Sequence, residues 1–289
     1  MTGSDCRAGE FSLSFLKGHW RLCVKKLCTL LVLILAAYLS GCNLLQKSDL
    51  VRKQKQRNAA NKYVAGNWIE RTEAVREIIR YIGPDKNDLI IGTLMVASAD
   101  PHIEVRIEAV KGLSRMDIDQ TRSMLRRIAR EDPGDNVRWR ALRELRLLKD
   151  PAAADIYIQA MGSSDWLIRE EAARGMLSLA DEIIRARMIP HIIKALNDPS
   201  ASVAIAVMRN LKTRDPRLYQ AIADRLLSAS EYSLLSASLT AINGYRLDDK
   251  TNEKVINLLV HGNADIRVLA LRVLKSNRSL SIPKKAAPR

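Results

Sequence analysis

The chain has 289 residues, with 47 Lys/Arg against 32 Asp/Glu and a formal net charge of +15. All four cysteines, Cys6, Cys23, Cys28 and Cys42, fall within its first 42 residues, which excludes a disulfide framework and cysteine metal sites from everything after them. A basic excess of this size favours anionic partners: acidic lipids, lipid-linked sugars, peptidoglycan carboxylates or acidic proteins.

In chain order, the first organised segment is a leader. Lys25 and Lys26 precede an apolar run from Leu27 through Leu39, and Ser40 and Gly41 supply small residues before Cys42. A positive flank, a short apolar run and a small-residue site form a signal peptide, and the run is shorter than the ~20 residues a membrane-spanning helix needs. Leu39-Ser40-Gly41-Cys42 resembles the lipobox of bacterial lipoproteins. The resemblance implies cleavage before Cys42, a diacylglycerol on its sulfur and an acyl chain on its new amine, with no other cofactor. Two or three chains anchor firmly, because each buried methylene contributes about 0.8 kcal/mol. Met1 to Val24 is long and mixed for a leader, so the translation start is open between Met1 and Val24. Five Lys/Arg and two Asp/Glu precede Cys42, leaving the processed chain at +12. Asn43 follows the cysteine where the usual sorting rule would place Asp for inner-membrane retention, so the resemblance implies the outer membrane, facing the periplasm, with surface exposure as the alternative.

Residues 42–66 read as a basic tether in which Lys47, Arg52, Lys53, Lys55, Arg57 and Lys62 oppose only Asp49. Leu50 to Ala65 suits a helix, but its apolar positions are too sparse to demand burial. Asn67, with Glu70 three positions on, forms a capping-box pattern.

From there the chain repeats itself. Val105-Arg106-Ile107-Glu108-Ala109-Val110 returns as Val137-Arg138-Trp139-Arg140-Ala141-Leu142, Ile168-Arg169-Glu170-Glu171-Ala172-Ala173 and Ile266-Arg267-Val268-Leu269-Ala270-Leu271. Weaker copies start at Val203 and Leu234, and a more diverged one at Glu70; from Val105 onward the steps are 32, 31, 35, 31 and 32 residues. Such a period marks a solenoid of helical hairpins. The first helices of the pairs fall at Leu89 to Ala97, Gln120 to Arg130, Ala152 to Met161, Glu182 to Leu196, Leu218 to Leu227 and Asn252 to Val260. Between helices stand Asp100-Pro101, Asp132-Pro133, Ser164-Asp165, Asn197-Asp198-Pro199 and Asn263-Ala264-Asp265, where Asp caps free amides and Pro suits a first turn. The expected fold is all-α: an α-solenoid of six to seven hairpins over residues 67–277, followed by a loose basic tail over residues 278–289.

An Asp-Pro turn followed by Val-Arg, then Ala and Leu, resembles HEAT repeats, particularly the short bacterial units related to phycobilisome-lyase repeats. That resemblance implies a structural ladder in which Arg106, Arg138, Arg169 and Arg267 reach aspartates of the interhelical turns. It also implies that the second helices line the concave face.

Raw materials for catalysis are few. After Cys42 the only histidines are His102, His191 and His261, in different repeats and none followed by Glu. Adjacent carboxylates such as Glu170-Glu171 point about 100° apart on a helix. No glycine-rich phosphate loop is present, and neither a metal site nor a small-molecule substrate is expected. The third hexad position carries Ile107, Trp139, Ile205 and Val268, an apolar stripe beside cations. Trp139, flanked by Arg138 and Arg140 with Arg143 nearby, is the candidate protein-binding anchor, the alternative being packing between repeats. The expected function is that of a noncatalytic, membrane-anchored envelope scaffold or adaptor that binds another envelope protein and rests on an anionic membrane surface. A surface-exposed ligand-binding lipoprotein and a peptidoglycan- or glycan-associated accessory factor are the alternatives; nucleic acid is not expected outside the cytoplasm.

Overall fold

A computed structural model describes residues 48–83, 88–179, 181–212 and 214–281, with side chains through residue 277. The leader, Val24 and the lipobox residues Leu39, Ser40, Gly41 and Cys42 lie outside the described residues. Two compact units divide the chain, Met1–Asn58 and Ala59–Arg289. The described part of the first is helical.

The second unit is built of paired helices. Helix α1 covers residues 48–65. It is followed by α2 (Trp68–Arg80), α3 (Asp88–Ala97), α4 (Ile103–Met116), α5 (Asp119–Glu131), α6 (Asp135–Leu147), α7 (Ala154–Ala160) and α8 (Trp166–Ser178). Then come α9 (Glu182–Leu196), α10 (Ala201–Asn210), α11 (Tyr219–Ser228), α12 (Tyr232–Ile242), α13 (Asp249–Asn257) and α14 (Ala264–Ser281). Among the described residues there is no strand.

Turn chemistry sets the helix ends. Asn67 caps α2, its Oδ1 accepting from the Ile69 and Glu70 amides at 2.9 and 3.1 Å, while Glu70 Oε2 accepts from the Asn67 amide at 2.8 Å. Asp150-Pro151 and Asp215-Pro216 each open a short 3-10 turn, Pro151–Ala153 and Pro216–Leu218, before α7 and α11 continue as α-helix.

Even-numbered helices stack directly on one another from α2 through α14, and adjacent odd-numbered helices meet at few points. The close side follows from the fifth hexad position. Ala74, Ala109, Ala141, Ala172, Val207, Ser238 and Ala270 are all fully buried there, small or narrow enough for neighbouring second helices to approach. One continuous core results, running from Ala59 and Tyr63 to Ala270 and Val273.

Two boundaries differ from the sequence expectation. The end of α1 is not a bare tether: Ala59, Ala60 and Tyr63 are buried, and the Tyr63 hydroxyl donates to Asp100 at 3.2 Å. Two alanines and a polar-tipped tyrosine bury a helix face without producing a strong apolar pattern. At the other end, α14 runs to Ser281, past residue 277, because nothing before Pro283 breaks the helix. Residues 282–289 of the expected tail lie outside the described residues.

Candidate functional site

The repeat unit offers two surfaces that could carry function: the turn edge, where arginines meet aspartates, and the outward face of the second helices. On the turn edge, three rungs are complete. Arg71 Nε and Nη2 donate to Asp100 at 2.7 and 2.9 Å, Arg106 to Asp132 at 2.9 and 3.0 Å, and Arg169 to Asp198 at 2.8 and 2.9 Å. Each forked pair joins one repeat to the turn of the next. The remaining guanidinium nitrogen binds carbonyls of the arginine's own turn: Gly66 for Arg71, Asp100 and Pro101 for Arg106, Ser163 and Ser164 for Arg169. The aspartates also close their own turns, accepting from the amides of His102, Gly134 and Ser200, each at 2.8 Å.

These contacts govern titration. Burial alone would raise the pKa of Asp100, but hydrogen bonds from Arg71, the His102 amide and Tyr63 outweigh it and hold the carboxyl below its ordinary value. Burial likewise opposes, and Arg169 with the Ser200 amide overcomes, the charge of Asp198. Burial, then the neighbouring Asp100 charge, pushes the Tyr63 hydroxyl up to about 12.

Arg138 and Arg267 depart from the expected ladder. Arg138 donates to its own turn, to the Asp132 carbonyl at 2.8 Å and to Asp135, and reaches no aspartate in the next repeat. The reason is local: the position that holds Asp100, Asp132 and Asp198 six residues before the hexad's second residue holds Ser163 in the α8 repeat. Arg267 binds the carbonyls of His261 and Gly262 at 2.8 and 3.0 Å, and α14 is the last described helix. Where α10 and α12 lack the arginine, Arg225 of α11 reaches back to the carbonyls of Leu196 and Asp198.

On the second-helix face the candidate anchor is a packing residue. Trp139 is partly buried against the core, and the Arg143 guanidinium lies 5.6 Å from its ring centroid. Ile107 and Ile205 also pack against the core, whereas Val268 is 56% exposed. Arg140 sits beside Glu144 at 2.7 Å on the same helix. Trp139, Arg140 and Arg143 therefore share one side of α6, while Arg138 turns to the repeat edge.

Arg140 and Glu144 line one end of a groove of about 520 Å³ that crosses α2, α4 and α6, with Arg76, Arg80, Lys111 and Arg115 supplying further cations. Glu108 lies beneath it, 6% exposed, and accepts from Arg76 at 3.1 Å and Lys111 at 2.8 Å. Burial would raise the Glu108 pKa; the two cations hold it below its ordinary value instead. Farther along, buried Glu171 accepts from Arg146. The sequence reading did not single out Arg71 or Arg76. The signal was present, because Arg71 occupies the hexad's second position and Arg76 lies five residues after it.

The histidines are dispersed. His102 caps α4 through Nδ1 at 3.3 Å and stacks on Trp68 with ring centroids 4.0 Å apart; His261 Nδ1 accepts from the Asn263 amide at 3.1 Å; His191 lies within α9. Among the described residues no group of three or more His, Cys, Asp or Glu side chains is arranged to hold a metal ion, and no helix is long and apolar enough to cross a membrane.

Residues 90–177 and 123–212 match the family model for HEAT repeats. No curated protein matches the chain. Among solved structures, an engineered protein is similar with a TM-score of 0.55 at 17% identity, covering 77% of this chain and 68% of that one. A HEAT-like repeats protein of the archaeon Thermococcus onnurineus has a TM-score of 0.50 at 14% identity, covering 79% of this chain and 97% of that one. The described helices form an α-solenoid, and its central residues 90–212 match HEAT repeats.

Proposed function

We propose that this protein is a noncatalytic scaffold of the bacterial envelope, held at a membrane by lipid on Cys42 and binding another protein through its solenoid surface. The observation that carries the reading is the junction of two segments: a basic and apolar leader ending in Leu39-Ser40-Gly41-Cys42, and a stack of HEAT-like repeats beginning about 25 residues later. A solenoid presents an extended face on a fixed frame, and a lipid anchor confines that face to one surface. The dispersed histidines and the cations engaged in interhelical contacts support a binding role over a catalytic one. Asn43 after the cysteine favours the outer membrane by resemblance to the usual sorting rule.

The test joins both halves. Cells are labelled with an alkyne palmitate analogue and fractionated, then crosslinked and the protein recovered for mass spectrometry, comparing the parent with Cys42→Ala. The parent is expected to take up the label, sediment with membranes and capture a reproducible envelope protein. Cys42→Ala is expected to lose label and membrane association together. Labelling that survives in Cys42→Ala overturns the anchor, and recovery of glycan alone transfers the reading to the peptidoglycan-associated alternative.

A further inference from the structure

One register of the second helices is cationic almost throughout. Five residues after the hexad's second position stand Arg76 in α2, Lys111 in α4, Arg143 in α6, Arg174 in α8, Arg209 in α10 and Arg272 in α14; only α12 departs, with Thr240. This register lies opposite the buried hexad residues on each helix, so it faces away from the core. The side chains of Arg76, Lys111 and Arg174 are 51%, 34% and 40% exposed, and Arg209, Thr240 and Arg272 are exposed residues.

Neutralisation along the row is incomplete. Arg76 and Lys111 share the single carboxylate of Glu108, Arg174 pairs with Glu170, and Arg143 rests on the Trp139 ring. Arg209 and Arg272 have no carboxylate partner among the described residues. Around Arg209 the surface stays basic: it lines a cleft of about 330 Å³ with Lys212 and Arg214 and no acidic residue. In this register a cation recurs once per repeat along the stacked second helices, α12 excepted.

We propose, resting on the protein-binding reading, that this row is the docking track for an extended acidic segment of a partner protein, with one carboxylate opposite each second helix. The spacing fixes the partner's pattern. Packed helices lie about 8–10 Å apart, and an extended chain advances about 3.3 Å per residue, so acidic side chains at every third residue match the track. The row runs along the stacked second helices, a line that an extended chain can follow.

The test uses the full chain in detergent micelles and fluorescence anisotropy of a labelled peptide of about 18 residues, long enough at about 3.3 Å each to follow six helices. Glutamate stands at every third position, separated by serine and glycine. A control of identical composition gathers its glutamates at one end, and a second replaces glutamate by lysine. The periodic acidic peptide is expected to bind about fivefold more tightly than the clustered one, because only it engages every site at once. The lysine peptide is expected not to bind. Arg209→Glu with Arg272→Glu is expected to weaken binding about tenfold while leaving the thermal melt unchanged, since both side chains are exposed. Equal binding of periodic and clustered peptides overturns the proposal, as does undiminished binding by the double variant. Adsorption of the parent, but not the variant, to phosphatidylglycerol micelles without any peptide binding assigns the row to lipid and also overturns it. The assay needs neither the anchor nor the membrane, so a failure of Cys42 lipidation leaves its result standing, and a failure here leaves the anchor untouched.

Discussion

Breaking a rung of the arginine ladder strands a charge that is already largely out of water. The Arg106 and Asp132 side chains are 11% and 5% exposed, so Asp132→Ala leaves a guanidinium with only its own-turn carbonyls and also uncaps the Gly134 amide. Losing one partner of such a pair costs about 3 kcal/mol, which a urea unfolding curve will show. The converse substitution is more informative. Ser163 already accepts from the Asp165 amide as the ladder aspartates do from theirs, so Ser163→Asp keeps that bond and adds the carboxylate that Arg138 lacks. It is expected to stabilise the protein by about 0.5–1 kcal/mol, and Ser163→Asn, which restores the shape without the charge, by less. Titration gives a third check. Asp100 and Asp198 have folded pKa values below their ordinary 3.8, so their contribution is complete above that value and is lost as pH falls through the depressed folded pKa. The melting temperature should therefore drop as pH falls below about 4, and Asp198→Asn, less stable at neutral pH, should show a shallower drop.

At the scale of elements, two glycines on second helices show how the pairs seat. A Cβ on Gly175 would stand 2.3 Å from the Tyr157 ring, and one on Gly112 would stand 2.6 Å from Leu94. Gly175→Ala is therefore expected to destabilise by about 1–3 kcal/mol through overpacking, against a helix-propensity gain of up to about 1 kcal/mol. Gly92, with nothing within 4 Å of its built Cβ, is the control: Gly92→Ala should raise the melting temperature. The helices themselves were legible in the sequence because repetition amplified a weak local signal. The hexad returning every 31 to 35 residues located the second helices, and the Asp-Pro turns marked the junctions just before them. What escaped was information held by a neighbour. Whether Arg138 completes a rung depends on Ser163, 25 positions away, and nothing around Arg138 reveals it. The burial of α1 escaped because alanine and tyrosine carry it. Trp139 looked like an anchor because of its arginine neighbours; in the structure one of them, Arg143, covers its ring.

For the whole repeat unit, nearest-neighbour coupling means that stability is a sum over joints rather than a property of one core. The joints are unequal. Forked arginine–aspartate pairs close α2 to the turn before α4, α4 to the turn before α6, and α8 to the turn before α10, but not α6 to the turn before α8. From α10 onward, among the described residues, no arginine fork joins a second helix to the next turn; instead the Tyr219 hydroxyl of α11 donates to Asp248 at 2.7 Å and accepts from the Asp248 amide at 2.8 Å. Amide hydrogen exchange is expected to be slower in α4 and α6 than in α10 and α12; equal protection along the stack would show that the ladder does not set local stability. At the α6–α8 joint the serine removes the fork, but the buried Arg146–Glu171 pair still ties the two helices, so the looser part of the stack lies beyond α10. Pulled apart from its two ends, the molecule would yield first beyond α10, where the forked pairs stop. The leading repeats would stay a stiff bracket, and the trailing ones would pay out like a spring.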